Sequence, residues 1–354
     1  MSELVPEQWF ESPPFSMPQA EKEIRLLNTL KELHQYHQAH CVEYNNLFSQ
    51  TELSDIESLP YLAVRLFKHL SLSSIAEADV FKTLYSSGTT GQMPAKVLLD
   101  QETSRRQSKV LVKVLQDFIG KQRMPMLIID HPGVVKSRNS YSARGAGIQG
   151  LSLFGRKPVF ALNDDMSLNL EVVQNFNNEH KNTPVLLFGF TFMVWKYFIR
   201  ALNAQNITLN LSQGTLLHSG GWKKLEAEKV SNSTFKETCK DVLGLSQVHN
   251  FYGMAEQVGS IFVECEQGHL HAPVYADVII RDPVSMAVLP NNVEGVIQVL
   301  SIVPSSYPGN SLLTEDLGMI LGVDDCSCGR KGKYFLVHGR LPKMEVRGCS
   351  DTAK

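Results

Sequence analysis

The rhythm of apolar and polar positions changes along this chain and divides it. Residues 19–48 (QAEKEIRLLNTLKELHQYHQAHCVEYNNLF) carry apolar side chains at helical spacing, and Pro6, Pro13, Pro14 and Pro18 bound that stretch upstream. The pattern predicts a helical N-terminal region over 1–58. From 59 to 258 short apolar runs alternate with helical segments. MPMLIIDHP (124–132), RKPVFALND (156–164), TPVLLFGF (183–190), GTLLHSGGW (214–222) and SQVHNFYGMAE (246–256) read as strands ending in turns. MSLNLEVVQNFNN and FMVWKYFIRALNA read as helices between them. Apolar runs of this length separated by helices predict an α/β body with a mainly parallel sheet covered by helices. After 258 the texture is strand-like and broken by Gly, Pro and Asp, as in SIFVECEQGHLHAPVYADVIIRDP and EGVIQVLSIV, which predicts a β-rich subdomain over 259–345. A polar tail, 346–354, closes the sequence.

Composition narrows the function classes. With 354 residues, 43% hydrophobic and 20% charged, the chain can bury a full core as one large domain or two smaller ones. A net charge of −2 offers no basic field for nucleic acid, so small-molecule or protein partners are expected. The start, MSELVPEQWFESPPF, is acidic and aromatic, unlike a secretory signal. The densest apolar stretch, VLLFGFTFMVW (185–195), is too short for a membrane span. Six cysteines, at 41, 239, 265, 326, 328 and 349, are scattered rather than framed as disulfides, so a reduced cytoplasm is the expected compartment.

The strongest chemical signal is LYSSGTTGQMPAK (84–96). Glycines let backbone amides turn toward an anion and hydroxyls add donors, a composition that suits a polyphosphate cradle. A Ser/Thr/Gly hairpin turn has the same composition, and the spacing is not that of a Walker A loop. SSGTTG with a following lysine resembles the phosphate loop of the adenylate-forming enzymes, which join a carboxylic acid to AMP. Further motifs follow in that superfamily's order: HSGGW (218–222), FYGMAEQ (251–257), TEDLG (314–318) and GRLPKMEVRG (339–348). GGWK (220–223), HAPVYADVIIRDP (271–283), SYPGNSLLTEDLGMI (306–320) and a cysteine just before a terminal lysine resemble a narrower group within it. That group is the acyl-protein synthetases of the bacterial bioluminescence fatty-acid reductase system.

The resemblance, which covers roughly residues 60–354, implies an acid–thiol ligase. It would activate a fatty acid with ATP and Mg²⁺ to acyl-AMP, load the acyl group on Cys349 as a thioester and pass it to a partner reductase. Ser86, Ser87, Gly88, Thr89, Thr90 and Gly91 would cradle the phosphates with Lys96 as a nearby cation, and Gly220 and Gly221 would form the Gly-Gly turn near the nucleotide. Glu256 would hold Mg²⁺, Asp316 the ribose hydroxyls, and Arg340 the nucleotide. Tyr252, next to Gly253, is either an adenine platform or a core aromatic at a strand end. The alternatives are a CoA or carrier-protein ligase of the phenylacetate-CoA-ligase-like type, with Cys349 incidental, and a scaffold subunit of a reductase complex.

The sequence departs from the family pattern at several places. Ala95 separates the loop proline from Lys96, Glu315 stands where Gly is common, and LPK (341–343) replaces an acidic hinge. Typical members continue into a mobile domain bearing a catalytic lysine, and the reading here is that the cysteine tail takes over its acceptor role. CSCG (326–329) is set aside as a metal site, because no second cysteine pair or spaced histidine pair supplies a closed zinc set, and only Cys265, His269 and His271 stand in the same region. His131, His218 and His249 read as structural histidines at strand ends, the latter two flanking the expected nucleotide pocket. GIQGLSLFG (147–155) suits the wall of a narrow channel, and FGFTFMVW (188–195) suits an acyl pocket or core.

Overall fold

The computed structural model describes residues 4–51, 53–86, 94–135 and 143–341. They divide into two compact units, one formed by the chain up to Phe118 together with the segment from Tyr252 onward, the other by Ile119–Phe251.

The Ile119–Phe251 unit follows the apolar runs of the sequence closely. Strands Gly155–Phe160, Met124–Ile128, Val185–Phe190, Gly214–Ser219 and Gln247–Tyr252 pair side by side in that order, every pair parallel. Val185–Phe190 and Gly214–Ser219 are buried along their whole length, as strands covered on both faces must be. Helix Leu170–His180 is capped by Asn169, whose side chain accepts from the Val172 amide. The helical run after Val185–Phe190 continues from Thr191 to Ala204 with a π-helical stretch at Val194–Ile199. Two further helices were not anticipated, Ala143–Leu151 and Asn232–Leu243. The first contains Gly147 and Gly150 of GIQGLSLFG, while Gly155 opens the strand Gly155–Phe160, so the stretch is not one continuous channel wall. The second runs from Ser231, which accepts from the Thr234 amide, to a left-handed Gly244.

The other unit joins the N-terminal helices to the β-rich segment. Helix Gln19–His40 and the short helix Val42–Phe48 fulfil the 19–48 reading, with a break at Cys41, whose backbone is extended. Its strands run Ala276–Arg281, Gly295–Ser301, Ser311–Val323, Lys333–Arg340, Leu270–His271 and Phe262–Glu264, with antiparallel neighbours throughout. Leu62 and Ala63 add a parallel edge pairing to Leu312 and Leu313.

The N-terminal helix is held on this sheet by polar groups. Lys22 and Asp277, both fully buried, lie 3.5 Å apart, Lys333 lies 3.3 Å from Asp277, and Gln19 Nε2 donates to Asp277 at 2.6 Å. Those contacts tie helix Gln19–His40 to the β-rich segment, alongside the burial of its Leu26, Leu30 and Leu33. A long helix, Gln101–Ile119, was also missed. Arg106, Gln107 and Thr103 lie among its buried residues, and Arg106 donates to Val303 O and Ser305 Oγ.

Candidate active site

The phosphate-loop motif sits on a two-stranded hairpin, Lys82–Tyr85 against Lys96–Leu99. The Ser86 amide donates to Ala95 O at 3.0 Å, and the Ala95 amide donates to Ser86 Oγ at 2.9 Å, so Ser86 closes the base of the loop. Ser87, Gly88, Thr89, Thr90 and Gly91 lie outside the described residues, as does Cys349. The hairpin explains the extra Ala95. Side chains alternate along a strand, and Ala95, Val97 and Leu99 all point into the core, which leaves Lys96 exposed. Ala95 thus anchors the strand and sets the face from which Lys96 projects.

Three motif residues far apart in sequence meet at one place. Asp316 and Arg340 are directly opposed on the antiparallel strands Ser311–Val323 and Lys333–Arg340, with Arg340 Nε 3.5 Å from Asp316 Oδ1. The Tyr252 hydroxyl donates to Asp316 Oδ2 at 2.7 Å. Its ring is 6.2 Å from Phe262 and 6.5 Å from Phe335, so Tyr252 has a foot in the core and a polar tip on Asp316. Burial and then the neighbouring Asp316 raise the Tyr252 phenol well above its ordinary range. Burial also raises the Asp316 carboxyl, against the pull of Tyr252 and Arg340. Glu315, the residue that departs from the usual glycine, takes Arg65 at 2.6 Å and stands 3.9 Å from Arg340.

Glu256 lies four residues beyond Tyr252, in a short helical turn after Gly253 and Met254. Its carboxyl is raised to about 6, chiefly by burial, while its backbone oxygen accepts from Tyr307 OH at 2.9 Å. Lys68 and Arg340 lend this buried carboxyl positive charge that partly offsets the cost of its ionisation.

In the Ile119–Phe251 unit, Gly220 and Gly221 follow directly on the carboxyl end of strand Gly214–Ser219, where open parallel sheets present ligand sites. Gly220 adopts φ +84°, which favours glycine, and among the described residues nothing lies within 4 Å of where a Gly221 side chain would start. That turn is open to an approaching ligand. His218 is buried, its Nδ1 is 3.0 Å from Thr191 Oγ1, and burial lowers it to about 3. It is therefore a neutral, structural histidine. His131 lies 3.5 Å from Asp164 and 3.3 Å from Arg144, which pairs with the buried Asp130 at 3.2 Å.

One grouping that the sequence argument set aside is assembled by the fold. Cys265, His271, Cys326 and Cys328 have their ligand atoms all within 4.8 Å of one another. The missing partners of CSCG are a single cysteine and a single histidine on another turn, a spacing that no pair motif reveals.

The family model for the acyl-protein synthetase LuxE matches residues 2–354. The chain belongs to the LuxE family. Among curated proteins no sequence match is found. Solved structures agree on the architecture that this LuxE-family chain adopts, that of the adenylate-forming ligases. A 2-hydroxyisobutyryl-CoA ligase in complex with 2-HIB-AMP and CoA superposes with TM-score 0.73 at 17% identity, covering 98% of this chain and 75% of that one. ATP-bound MatB from Rhodopseudomonas palustris gives 0.50 at 17% identity, over 75% of this chain and 49% of that one. The amide bond synthetase McbA from Marinactinospora thermotolerans gives 0.50 at 16%, over 75% and 50%. No described helix is long and apolar enough to cross a membrane.

Proposed function

We propose that this chain activates a fatty acid with ATP and carries the acyl group on Cys349 for delivery to a reductase. A carboxylate oxygen attacks the α-phosphorus of ATP, the bond to pyrophosphate breaks, and acyl-AMP forms. The Cys349 thiolate then attacks the acyl carbon, and the C–O bond to AMP breaks to leave a thioester. The thioester retains transfer potential for the partner reductase, so one difficult exchange becomes two easier ones.

The observation that carries this reading is the meeting of Tyr252, Asp316 and Arg340. A carboxylate steered by a tyrosine and an arginine is suited to accept two ribose hydroxyls, with Arg340 beside it for the nucleotide. Lys96 offers an exposed cation at the foot of the phosphate loop. Glu256 fits a Mg²⁺ ligand by its donor chemistry, since burial alone disfavours its charge and a dication would offset that cost. Magnesium would neutralise phosphate charge when bound. The neighbours crystallised with acyl-AMP and ATP support the same two-step chemistry.

ATP–pyrophosphate exchange across straight-chain acids from short to long tests the first step. Exchange with long-chain acids is expected, and Asp316→Ala should lower its kcat/KM about 10- to 100-fold, as loss of a charged hydrogen-bond pair does. Exchange undiminished in Asp316→Ala, or absent with every acid, would refute the assignment.

A further inference from the structure

The geometry points to a closed structural zinc site, formed by Cys265, His271, Cys326 and Cys328, that staples the β-rich segment behind the Tyr252–Asp316–Arg340 cluster.

Four features carry this. The first is ligand identity: three thiols and one imidazole are a set that structural zinc takes, and all four positions are protein side chains, so none is left for substrate. The second is distance. Zinc bonded to sulfur at about 2.3 Å and to nitrogen at about 2.0 Å makes tetrahedral edges of roughly 3.8 Å between sulfurs and roughly 3.5 Å from sulfur to nitrogen. Cys265 Sγ and Cys326 Sγ stand 3.9 Å apart, and Cys328 Sγ is 3.3 Å from His271 Nε2. A sulfur separation of 3.9 Å is far beyond a disulfide bond.

The third is the backbone. Each cysteine group lies on a tight turn closed onto a left-handed glycine. The Gly268 amide donates to Cys265 O at 3.0 Å, and the Gly329 amide donates to Cys326 O at 2.9 Å. Gly268 has φ +83° and Gly329 φ +85°, so the two turns are matched and aim their cysteines at one point. The fourth is the surroundings. Cys265 and His271 have no exposed surface and Cys326 has 6%. The His271 ring stacks on Tyr334 at 5.7 Å and meets the Phe15 edge at 6.1 Å, which fixes its direction. His269 stacks on the same Tyr334, and its Nδ1 lies 3.4 Å from Cys326 Sγ, where an N–H would donate to a metal-bound thiolate.

The staple joins the short hairpin Cys265–His271 to the turn between Ser311–Val323 and Lys333–Arg340, the strands that bear Asp316 and Arg340. Its work is to fix that turn. Chemistry at the nucleotide is independent of it, so this site stands or falls apart from the acyl-transfer proposal.

Metal analysis of the full-length protein, purified without a metal-affinity step, tests it. One zinc per chain is expected, released to a colorimetric chelator as a mercurial titrates the thiols. Cobalt replacing that zinc should show intense tetrahedral ligand-field bands with thiolate charge transfer. Cys328→Ser, at the least buried ligand, should lose the metal, and Cys349→Ser should keep it. If Cys328→Ser does not fold, the cobalt spectrum and mercurial release of the wild type still decide. Absence of stoichiometric metal in the wild type, a cobalt spectrum without thiolate transitions, or full zinc retention in a folded Cys328→Ser would overturn the site.

Discussion

Glu256 sits where a carboxylate pays heavily for its charge. Burial is the first cause of its rise from 4.5 to about 6, ahead of the relief from Lys68 and Arg340. Because the folded state holds the proton more tightly than the unfolded chain, stability from this group is complete below pH 4.5 and declines as pH rises through 6. The shift corresponds to about 2 kcal/mol. Glu256→Gln lacks this titration. Denaturant unfolding at several pH values should therefore show wild type losing about 2 kcal/mol relative to the variant between pH 4.5 and 7. With Glu256 as the proposed Mg²⁺ ligand, an acid limb near pH 6 in kcat/KM for pyrophosphate exchange is expected, because only the ionised form would bind the dication. Parallel stability curves for wild type and variant would contradict the assignment.

At this scale the motif residues were legible and their partners were not. Asp316, Tyr252 and Arg340 each stood out as a motif position, but the hydroxyl-to-carboxylate bond between Tyr252 and Asp316 depends on how separate strands meet. The ring contacts of Tyr252 with Phe262 and Phe335 match the core-aromatic reading, and its hydroxyl bond to Asp316 was part of neither reading. Cys265 and His271 were noticed in the region of CSCG, but their convergence with Cys326 and Cys328 was not legible for a related reason. Cys265 and His271 are six positions apart and more than fifty from Cys326, and only the fold makes them neighbours.

At the scale of elements, continuous apolar strands were the easiest to read. Met124–Ile128 and Val185–Phe190 are buried throughout and apolar at every position, and Gly214–Ser219, equally buried, admits Thr215, His218 and Ser219 around its central leucines. Gln101–Ile119 escaped because much of its buried face is polar. Thr103, Arg106 and Gln107 occupy one inward stripe with Val110 and Val114, and Arg106 meets its need for partners at Val303 and Ser305. Asn232–Leu243 carried a readable signal in its Ser231 cap and Gly244 stop, which hydrophobic periodicity alone passes over.

The attachment of helix Gln19–His40 rests on a polar element as well. Burial pushes the Asp277 carboxyl up, but Lys22 and Lys333 together with Gln19 pull it below its ordinary range. Its contribution is therefore present above about pH 4, the unfolded carboxylate's range, and is lost as pH falls through the lower folded value. Asp277→Asn leaves the buried Lys22 without its counter-charge, while Lys333 keeps Glu23 at 3.5 Å, and should cost about 3–5 kcal/mol in denaturant unfolding. A loss below about 1 kcal/mol would mean that the ion pairs add little to holding the helix.

For the whole molecule, the order of weak motifs proved more informative than any one of them. SSGTTG, HSGGW, FYGMAEQ, TEDLG and GRLPK span both units, and their sequence order carried the family reading that the match over residues 2–354 bears out. Periodicity marked the helix through its buried Leu26, Leu30 and Leu33, but it could not reveal that the helix belongs with the β-rich segment, because the bonds from Gln19 and Lys22 to Asp277 join residues more than 250 positions apart. The central claim is that the chain makes its own acyl-thioester on Cys349. Incubation of wild type and Cys349→Ser with labelled long-chain fatty acid, with and without ATP, tests it most directly. The account predicts ATP-dependent, hydroxylamine-labile label on the wild type alone, with pyrophosphate exchange preserved in the variant. Equal label on Cys349→Ser, or label that forms without ATP, would contradict it.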